Sequence, residues 1–205
     1  MKKYNANHLL SLLFLSSLFL ICLTKIVDPD AWLHLSLGRE IFSHRGIPAT
    51  ETLTYPSLGR GFGYGSWLFG LIYYTAYHFF NVYGVILLKA LTITAAFYFL
   101  LRDSLLPHKN YPAAIIVLSA AVFITYGRFI ERPDTFLMLF LAFTIYALNA
   151  FIYENKKYIY ALPLILMLWA NTHASINLML AIFLPYLAVG ILRHVFAKLD
   201  RKSVV

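Results

Sequence analysis

Residues 83–101, YGVILLKALTITAAFYFLL, decide the fold, because they form a continuous apolar run with one charged member, Lys89. A transmembrane helix needs roughly 20 predominantly apolar residues to cross the hydrocarbon of a bilayer. Other apolar runs in the chain cover residues 9–27, 111–126, 133–153, 158–170 and 176–195. The pattern predicts an all-α, polytopic membrane protein with about six transmembrane helices.

The composition of the whole chain agrees with this interpretation. Of its 205 residues, 60% are hydrophobic and 13% are charged, whereas an average soluble domain carries roughly 25% charged residues. These proportions exclude one or two soluble domains. We expect residues 1–205 to form a single transmembrane domain, which is either complete or the N-terminal part of a longer enzyme.

The first apolar run resembles both a signal peptide and a signal anchor, since Lys2 and Lys3 precede it. No small-residue cleavage pattern follows, because the next residues are Asp28, Pro29 and Asp30. The sequence therefore favours an uncleaved anchor. The single cysteine, Cys22, lies inside this run, so neither a disulfide framework nor a cysteine-based metal site is expected.

The basic residues indicate the orientation of the chain. A net charge of +8 would suggest a nucleic-acid partner in a soluble protein, but here no nucleic acid is expected, because the charges flank apolar runs. With a cytoplasmic N-terminus and six spans, ten basic residues lie inside: Lys2, Lys3, Arg102, Lys109, Lys156, Lys157, Arg193, Lys198, Arg201 and Lys202. Five lie outside: Arg39, Arg45, Arg60, Arg128 and Arg132. The positive-inside rule therefore predicts that both termini are cytoplasmic, while Lys25 and Lys89 extend to the interface.

The first outer loop, residues 28–82, is the most polar part of the chain. An amphipathic helix is predicted over residues 30–44, with Leu33, Leu37 and Ile41 on one stripe and Asp30, His34 and Gly38 on another. The aromatic segment 67–80 is too short to span comfortably and ends at an Asn81–Gly84 turn. We interpret it as an interfacial or re-entrant helix.

The predicted topology collects ionisable residues at the outer face. They come from three loops: Asp28, Asp30 and His34 from the first, Arg128, Glu131, Arg132 and Asp134 from the second, and Asn171, Thr172 and His173 from the third. Ionisable groups near the hydrocarbon are costly, so such a cluster is a functional-site hypothesis.

Each of these residues also has a simpler structural interpretation. Asp28 could cap a helix, and Asp134 could stabilise a helix N-terminus through the helix dipole. His34, one turn after Asp30, could share a proton or a metal with it or only face water. Arg128 and Arg132 could clamp a phosphate or anchor at the interface. Asn171 could cap a helix end, and His173 could be solvated.

Four segments in this order resemble the GT-C class of membrane glycosyltransferases. They are DPDAWLHLSLGREIFSHRGIP at residues 28–48, YGSWLFGLIYY at 64–74, GRFIERPDTF at 127–136 and LWANTHASI at 168–176. The class includes oligosaccharyltransferases, protein mannosyltransferases and lipid A aminoarabinose transferases. The likeness covers about residues 9–177 and is nearest to bacterial predicted glycosyltransferases whose first loop reads roughly D-x-D-x-W-x-H-x-x-x-G-R.

The resemblance implies a lipid-linked sugar donor carried on polyprenyl phosphate and an acceptor on the extracytoplasmic side of a bacterial inner membrane. It implies catalytic roles for Asp28 and Asp30, with Asp134 or Glu131 assisting. Enzymes of this class usually have more than six spans and often a further outer domain. We therefore expect this chain to be incomplete or to need a further membrane chain as partner, in addition to membrane lipids.

The chemistry of the residues agrees with that implication. Sugar transfer from a lipid phosphate needs a base for the acceptor hydroxyl and positive charge for the departing phosphate. Asp30 is the preferred base, and Asp28 supports it or binds a divalent cation such as Mg or Mn together with Asp30.

The other site residues are expected to take catalytic or binding roles. His34 and Asp134 are further catalytic candidates. Substrate and phosphate binding is assigned to Arg128, Glu131, Arg132, Asn171 and His173. The alternative is a non-catalytic membrane subunit, an inactive relative or a small transporter, although a transporter would be expected to place polar groups at mid-membrane.

Overall fold

The computed structural model describes residues 6–202, and for residues 193–202 the backbone alone. Helix makes up 77% of the structure, and no strand occurs among the described residues. The α-helices are α1 Ala6–Cys22, α2 Asp30–His44, α3 Trp67–Ser104, α4 Tyr111–Thr125, α5 Asp134–Glu154, α6 Leu162–Thr172 and α7 Leu178–Lys202. Short 3-10 helices cover Tyr126–Arg128, Lys157–Ala161 and Ala174–Asn177.

Four helices within the described residues are long and apolar enough to cross a membrane. They are Trp67–Ser104, Tyr111–Arg128, Asp134–Glu154 and Ala174–Leu192. Helix α1 is apolar but 17 residues long, and α6 has 11 residues. The structure confirms an all-helical architecture with several helices that could span a membrane, while the number of six spans stays a prediction.

The chain divides into two compact units between Ala174 and Ser175. The first contains α1–α6 and every site residue predicted from the sequence. The second contains α7, which has Pro185 inside it.

Helix α3 is broken at Asn81, whose φ of 55° and ψ of −150° are not helical. The Asn81 side-chain oxygen accepts a hydrogen bond from the Val82 amide at 2.8 Å, which suits asparagine to this backbone conformation. A Cβ added at Gly84 would lie 2.2 Å from the Ala76 carbonyl oxygen, so the two sides of the break approach too closely for a larger residue. The predicted interruption after residues 67–80 is therefore present at Asn81, whereas residues 82–84, expected to belong to a turn, are helical.

Helix α2 lies against the first part of α3 through two glycines. A Cβ at Gly38 would fall 2.0 Å from the Gly70 carbonyl oxygen, which means that the two backbones touch at this crossing. The buried residues of α2 are Ala31, His34, Leu35, Leu37, Gly38 and Ile41. The amphipathic helix is confirmed, but its buried face includes the His34–Gly38 stripe, and Leu33 is only half-buried.

The core of the first unit lies where α1, the second part of α3 and α4 meet. Its buried members are Leu18, Cys22, Ala90, Ile93, Phe97, Leu101, Ala114, Leu118 and Phe129. Helix α5 packs on α3 as well, with Phe136 in edge contact with Phe69 at 5.7 Å between ring centroids. These contacts hold the segment after α1 and the segment before α5 at the same end of the unit.

Candidate functional site

Asp28 lies in the irregular segment between α1 and α2, and its side chain is 1% exposed. One carboxylate oxygen accepts a hydrogen bond from the Asp30 amide at 3.1 Å, which resembles the predicted capping role. Both oxygens also accept hydrogen bonds from Arg132, at the Nε and Nη2 atoms of the guanidinium. Burial raises the pKa of Asp28, but these hydrogen bonds outweigh it and hold the pKa below its usual value.

Arg132 joins the two aspartates that were predicted to be catalytic. Its Nη2 atom lies 3.2 Å from an Asp30 carboxylate oxygen as well as 3.2 Å from Asp28. The side chain of Asp30 is 57% exposed and that of Arg132 is 37% exposed, so solvent or a ligand can reach both. The hydrogen bond and charge of Asp28, together with the charge of Asp30, raise the pKa of Arg132 above its usual value.

Asp134 connects a second arginine with a histidine. One of its oxygens lies 3.3 Å from Arg128 Nη2, and the other lies 3.1 Å from His173 Nε2. Asp134 begins α5, directly after Pro133, and the backbone amide of Phe136 bonds to the Pro133 carbonyl oxygen. The predicted members of the second and third outer loops are therefore in contact, through one carboxylate.

Asn171 and Thr172 end helix α6. The Asn171 side-chain oxygen accepts a hydrogen bond from Trp67 Nε1 at 3.0 Å, and its amide nitrogen donates to the Met167 carbonyl oxygen. Thr172 is buried and donates to the Leu168 and Trp169 carbonyl oxygens. Asn171 thus links α6 to the start of α3, a contact between residues 104 apart in the chain.

One interpretation of the sequence expected His34 to face water, but the structure does not place it there. It is buried between the rings of Phe69 and Tyr64, at centroid distances of 4.8 and 5.9 Å. Its Nδ1 atom has no hydrogen-bond partner among the described residues. Burial lowers the pKa of His34 below its usual value, although the charges of Asp30 and Asp28 act in the opposite direction.

Lys89 does not reach the interface, and that prediction is wrong. Its side chain is fully buried and its ammonium group lies 2.6 Å from Glu131 Oε1. It also donates to the Thr24 hydroxyl at 2.9 Å and to the Thr24 carbonyl oxygen at 3.2 Å. Glu131, predicted to bind substrate, is equally buried, and its other oxygen accepts a bond from the Val27 amide. The sequence signal for this pair is a lysine within an apolar run. Its partner Glu131 lies 42 residues further along the chain, so the local sequence does not indicate the pairing.

The residues at this end form three neighbouring groups: Asp28–Arg132–Asp30, Arg128–Asp134–His173 and Lys89–Glu131. The first two are partly exposed and combine carboxylates with guanidinium groups, which suits proton transfer and the binding of an anion. Among the described residues, no three His, Cys, Asp or Glu side chains are gathered as a metal site. The Arg132 guanidinium contacts both Asp28 and Asp30, so this pair in its present arrangement fits an arginine better than a divalent cation.

The site thus rests on contacts between segments that are distant in sequence. Its carboxylates and arginines belong to residues 28–30 and 128–134, and the histidine follows helix α6. A comparison of the chain with protein families, with curated proteins and with solved structures finds no match.

Proposed function

We propose that the protein is a membrane glycosyltransferase that moves a sugar from a polyprenyl-phosphate-linked donor to an acceptor on the extracytoplasmic side of a bacterial inner membrane. The observation that carries this proposal is the contact of Arg132 with both Asp28 and Asp30 at the end of an apolar helical unit. A carboxylate beside an arginine supplies the two functions that the reaction needs, a base and a group that stabilises a departing phosphate.

In the proposed reaction Asp30 is the general base. Its carboxylate is the more exposed of the pair, so an acceptor hydroxyl can reach it, whereas Asp28 is buried beneath Arg132. Asp30 takes the hydroxyl proton while the acceptor oxygen forms a bond to the anomeric carbon of the sugar. The bond between that carbon and the phosphate oxygen breaks, and the phosphate leaves with the electron pair.

The arginines stabilise the negative charge on the departing phosphate. Arg132 is held by Asp28, and Arg128 has a 65% exposed side chain held at one end by Asp134. A guanidinium that is already oriented by a carboxylate loses little freedom when it binds a phosphate. His173 contacts Asp134, and Asn171 accepts a hydrogen bond from the Trp67 indole. In this proposal both residues bind the sugar or the acceptor.

The proposal is tested by measuring sugar transfer in membranes that contain the chain together with any partner it needs. The substrates are a radiolabelled polyprenyl-phosphate sugar and the envelope fraction as acceptor. Label must enter the acceptor with the wild-type protein and be lost with Asp30→Asn. An equally expressed Asp30→Asn protein that transfers label at the wild-type rate would contradict the proposal. A parallel reaction with EDTA decides whether a divalent cation takes part with Asp28 and Asp30.

A non-catalytic role, as a membrane subunit or an inactive relative, is the second candidate. It is favoured by the closed contact between Asp28 and Arg132, in which both carboxylate oxygens are already occupied. In that case the pair would be a structural clamp between two loops. The protein would then have no transfer activity in the assay above but would be required for a partner's stability.

A further inference from the structure

The buried Lys89–Glu131 ion pair connects three segments of the first unit. Lys89 belongs to the second part of α3, Thr24 and Val27 belong to the segment after α1, and Glu131 belongs to the segment before α5. Lys89 makes three hydrogen bonds, to Thr24 Oγ1, the Thr24 carbonyl oxygen and Glu131 Oε1, so each of its three N–H donors has an acceptor. Glu131 uses its second oxygen for the Val27 amide.

Stability alone gives a weak reason for such a pair. Removing two charges from water is expensive, and a buried ion pair is often no more stabilising than apolar side chains of similar volume. In membrane helices, buried ionisable residues are rare and commonly have a functional reason. A satisfied polar network does, however, fix the relative position of the segments that it joins, because each hydrogen bond has a preferred length and direction.

The two segments held by this pair are those that carry the outer site. Val27 directly precedes Asp28, and Glu131 directly precedes Arg132. The Arg132 carbonyl oxygen in turn accepts hydrogen bonds from the Thr135 amide at 3.1 Å and from the Thr135 hydroxyl at 2.9 Å. A shift of Glu131 would therefore be transmitted to Arg132, and a shift of Val27 would be transmitted to Asp28.

We propose that the buried Lys89–Glu131 pair positions Asp28 and Arg132 against each other, so that Lys89 and Glu131 are positioning residues of the outer site. This inference rests on the proposed function for its meaning in catalysis, but the contact that it explains can be measured without any activity. Lys89 does not touch the substrate in this scheme. It acts through Glu131 and Val27 on the two residues that follow them.

The test measures whether Asp28 and Arg132 still interact after the buried pair is replaced. The thermal midpoints of Asp28→Asn, Arg132→Gln and the double variant are measured in detergent, first in the otherwise wild-type protein. The shifts in thermal midpoint caused by Asp28→Asn and by Arg132→Gln should be strongly non-additive in the double variant, because the two residues are in direct contact. The same cycle is then repeated in a Lys89→Met/Glu131→Leu background, in which apolar side chains fill the space.

We expect the two shifts to become additive in that background, because Asp28 and Arg132 lose their fixed alignment. Persistence of the wild-type non-additivity in the folded Lys89→Met/Glu131→Leu protein would overturn the inference. Lys89→Gln/Glu131→Gln, a neutral pair, replaces this background if the first does not fold, and the same two outcomes apply. If neither background folds, the inference also fails, because the pair is then needed for the helical unit itself.

Asp103→Asn serves as the matched control. Asp103 is the single acidic residue of α3, it accepts a hydrogen bond from Asn149 at 2.8 Å, and it lies close to the C-terminal end of that helix, away from Lys89. This variant should leave the non-additivity of Asp28 and Arg132 unchanged, which separates loss of alignment from general destabilisation. Where transfer activity is present, Lys89→Met/Glu131→Leu should lower kcat with its fold intact. If wild-type transfer is absent, the proposed function fails while the cycle still decides the positioning role.

Discussion

Two aspartates separated by one proline occupy different environments at one end of the first unit. Asp28 is buried under Arg132, with both oxygens bonded, whereas Asp30 is more than half exposed and has one contact with the same guanidinium. A base must accept a proton from a substrate that approaches from outside. The exposure of the two side chains therefore assigns the proton-accepting role in the proposed reaction to Asp30 and the task of orienting Arg132 to Asp28.

Asp30→Asn should lower turnover by roughly 10² to 10⁴-fold in the active form of the protein, because it removes a base while nearly preserving the shape of the side chain. The measurement is the transfer rate per folded molecule. Glu40→Gln, which neutralises another acid of α2, is the control and should leave the rate unchanged. Near-normal turnover of Asp30→Asn would mean that Asp30 is not the base.

Arg132→Gln should weaken binding of the donor more than it slows the reaction of the bound donor, because a charged hydrogen bond to phosphate is lost. Its effect on stability should depend on Asp28, whose buried carboxylate would be left without its guanidinium partner. Donor titrations of the transfer rate in wild-type and variant membranes separate KM from kcat. A change confined to kcat would contradict the role of Arg132 as a phosphate-binding group.

The stability of the first unit should fall as the pH drops below about 6.5. The pKa of His34 is lowered by burial, so the unfolded chain binds a proton before the folded protein does. The loss of stability begins near the pKa that His34 has in the unfolded chain, and it continues as the pH falls towards the lower pKa of His34 in the folded protein. The pKa of Asp28 is also lowered, so its contribution is present above its unfolded pKa of roughly 3.9 and is lost below it.

Thermal midpoints between pH 5 and 8 measure this effect in detergent. His34→Phe should abolish the decline just below pH 6.5, since phenylalanine keeps an aromatic ring between Phe69 and Tyr64 but cannot be protonated. His44→Gln, at the exposed end of the same helix, should keep the decline. An unchanged pH profile in His34→Phe would show that another group causes it.

At the scale of the helices, the close crossing of α2 and the first part of α3 determines the position of α2. Gly38→Ala should destabilise the protein by roughly 1–3 kcal/mol, because the new methyl group meets the backbone of Gly70 and both helices must move apart. Gly63→Ala is the control, since no atom lies within 4 Å of the added Cβ there. Thermal or chemical unfolding in detergent checks the difference, and equal stability of the two variants would contradict the close crossing.

Some elements could be predicted from the sequence because their signals are local. The apolar run of α3, the turn at Asn81 and the amphipathic pattern of α2 each depend on neighbouring residues, and the structure contains all three. The burial of His34 could not be predicted in the same way. It depends on the approach of Gly70, which lies 36 positions further along the chain than His34 and belongs to another helix.

The contacts among the candidate site residues could not be predicted from the sequence, although the residues themselves could be listed. The sequence pattern indicates Asp28, Asp30, Arg132, Asp134 and His173 as candidates, and the structure brings them into two groups. It missed Lys89, because a lone lysine in an apolar run is compatible with either interfacial extension or burial. Only the position of Glu131, on a different segment, decides between these possibilities.

At the scale of the whole molecule, the polar groups of the first unit are distributed unevenly along its helices. The ion pairs of the candidate site lie in the segments after α1 and before α5, at the first residues of α2 and α5, and at the end of α6. The contacts of Asp103 and Ser104 lie at the end of α3, which is separated from the Lys89 region by several helical turns. If residues 82–104 cross the membrane, these two sets of groups face opposite sides of it.

Labelling of single cysteines tests this arrangement. In a Cys22→Ala background, cysteines at Thr52, in the first outer loop, and at Ser104, at the end of α3, are both exposed in the structure. An impermeant maleimide added to intact cells should label the cysteine at 52 and leave the one at 104 unlabelled until the membrane is opened. The reason is the predicted ten-to-five distribution of basic residues, which places the residues after α3 in the cytoplasm. Labelling at 104 but not at 52 would show that the topology is the reverse of the predicted one. The Asp28–Arg132 site would then lie on the cytoplasmic face.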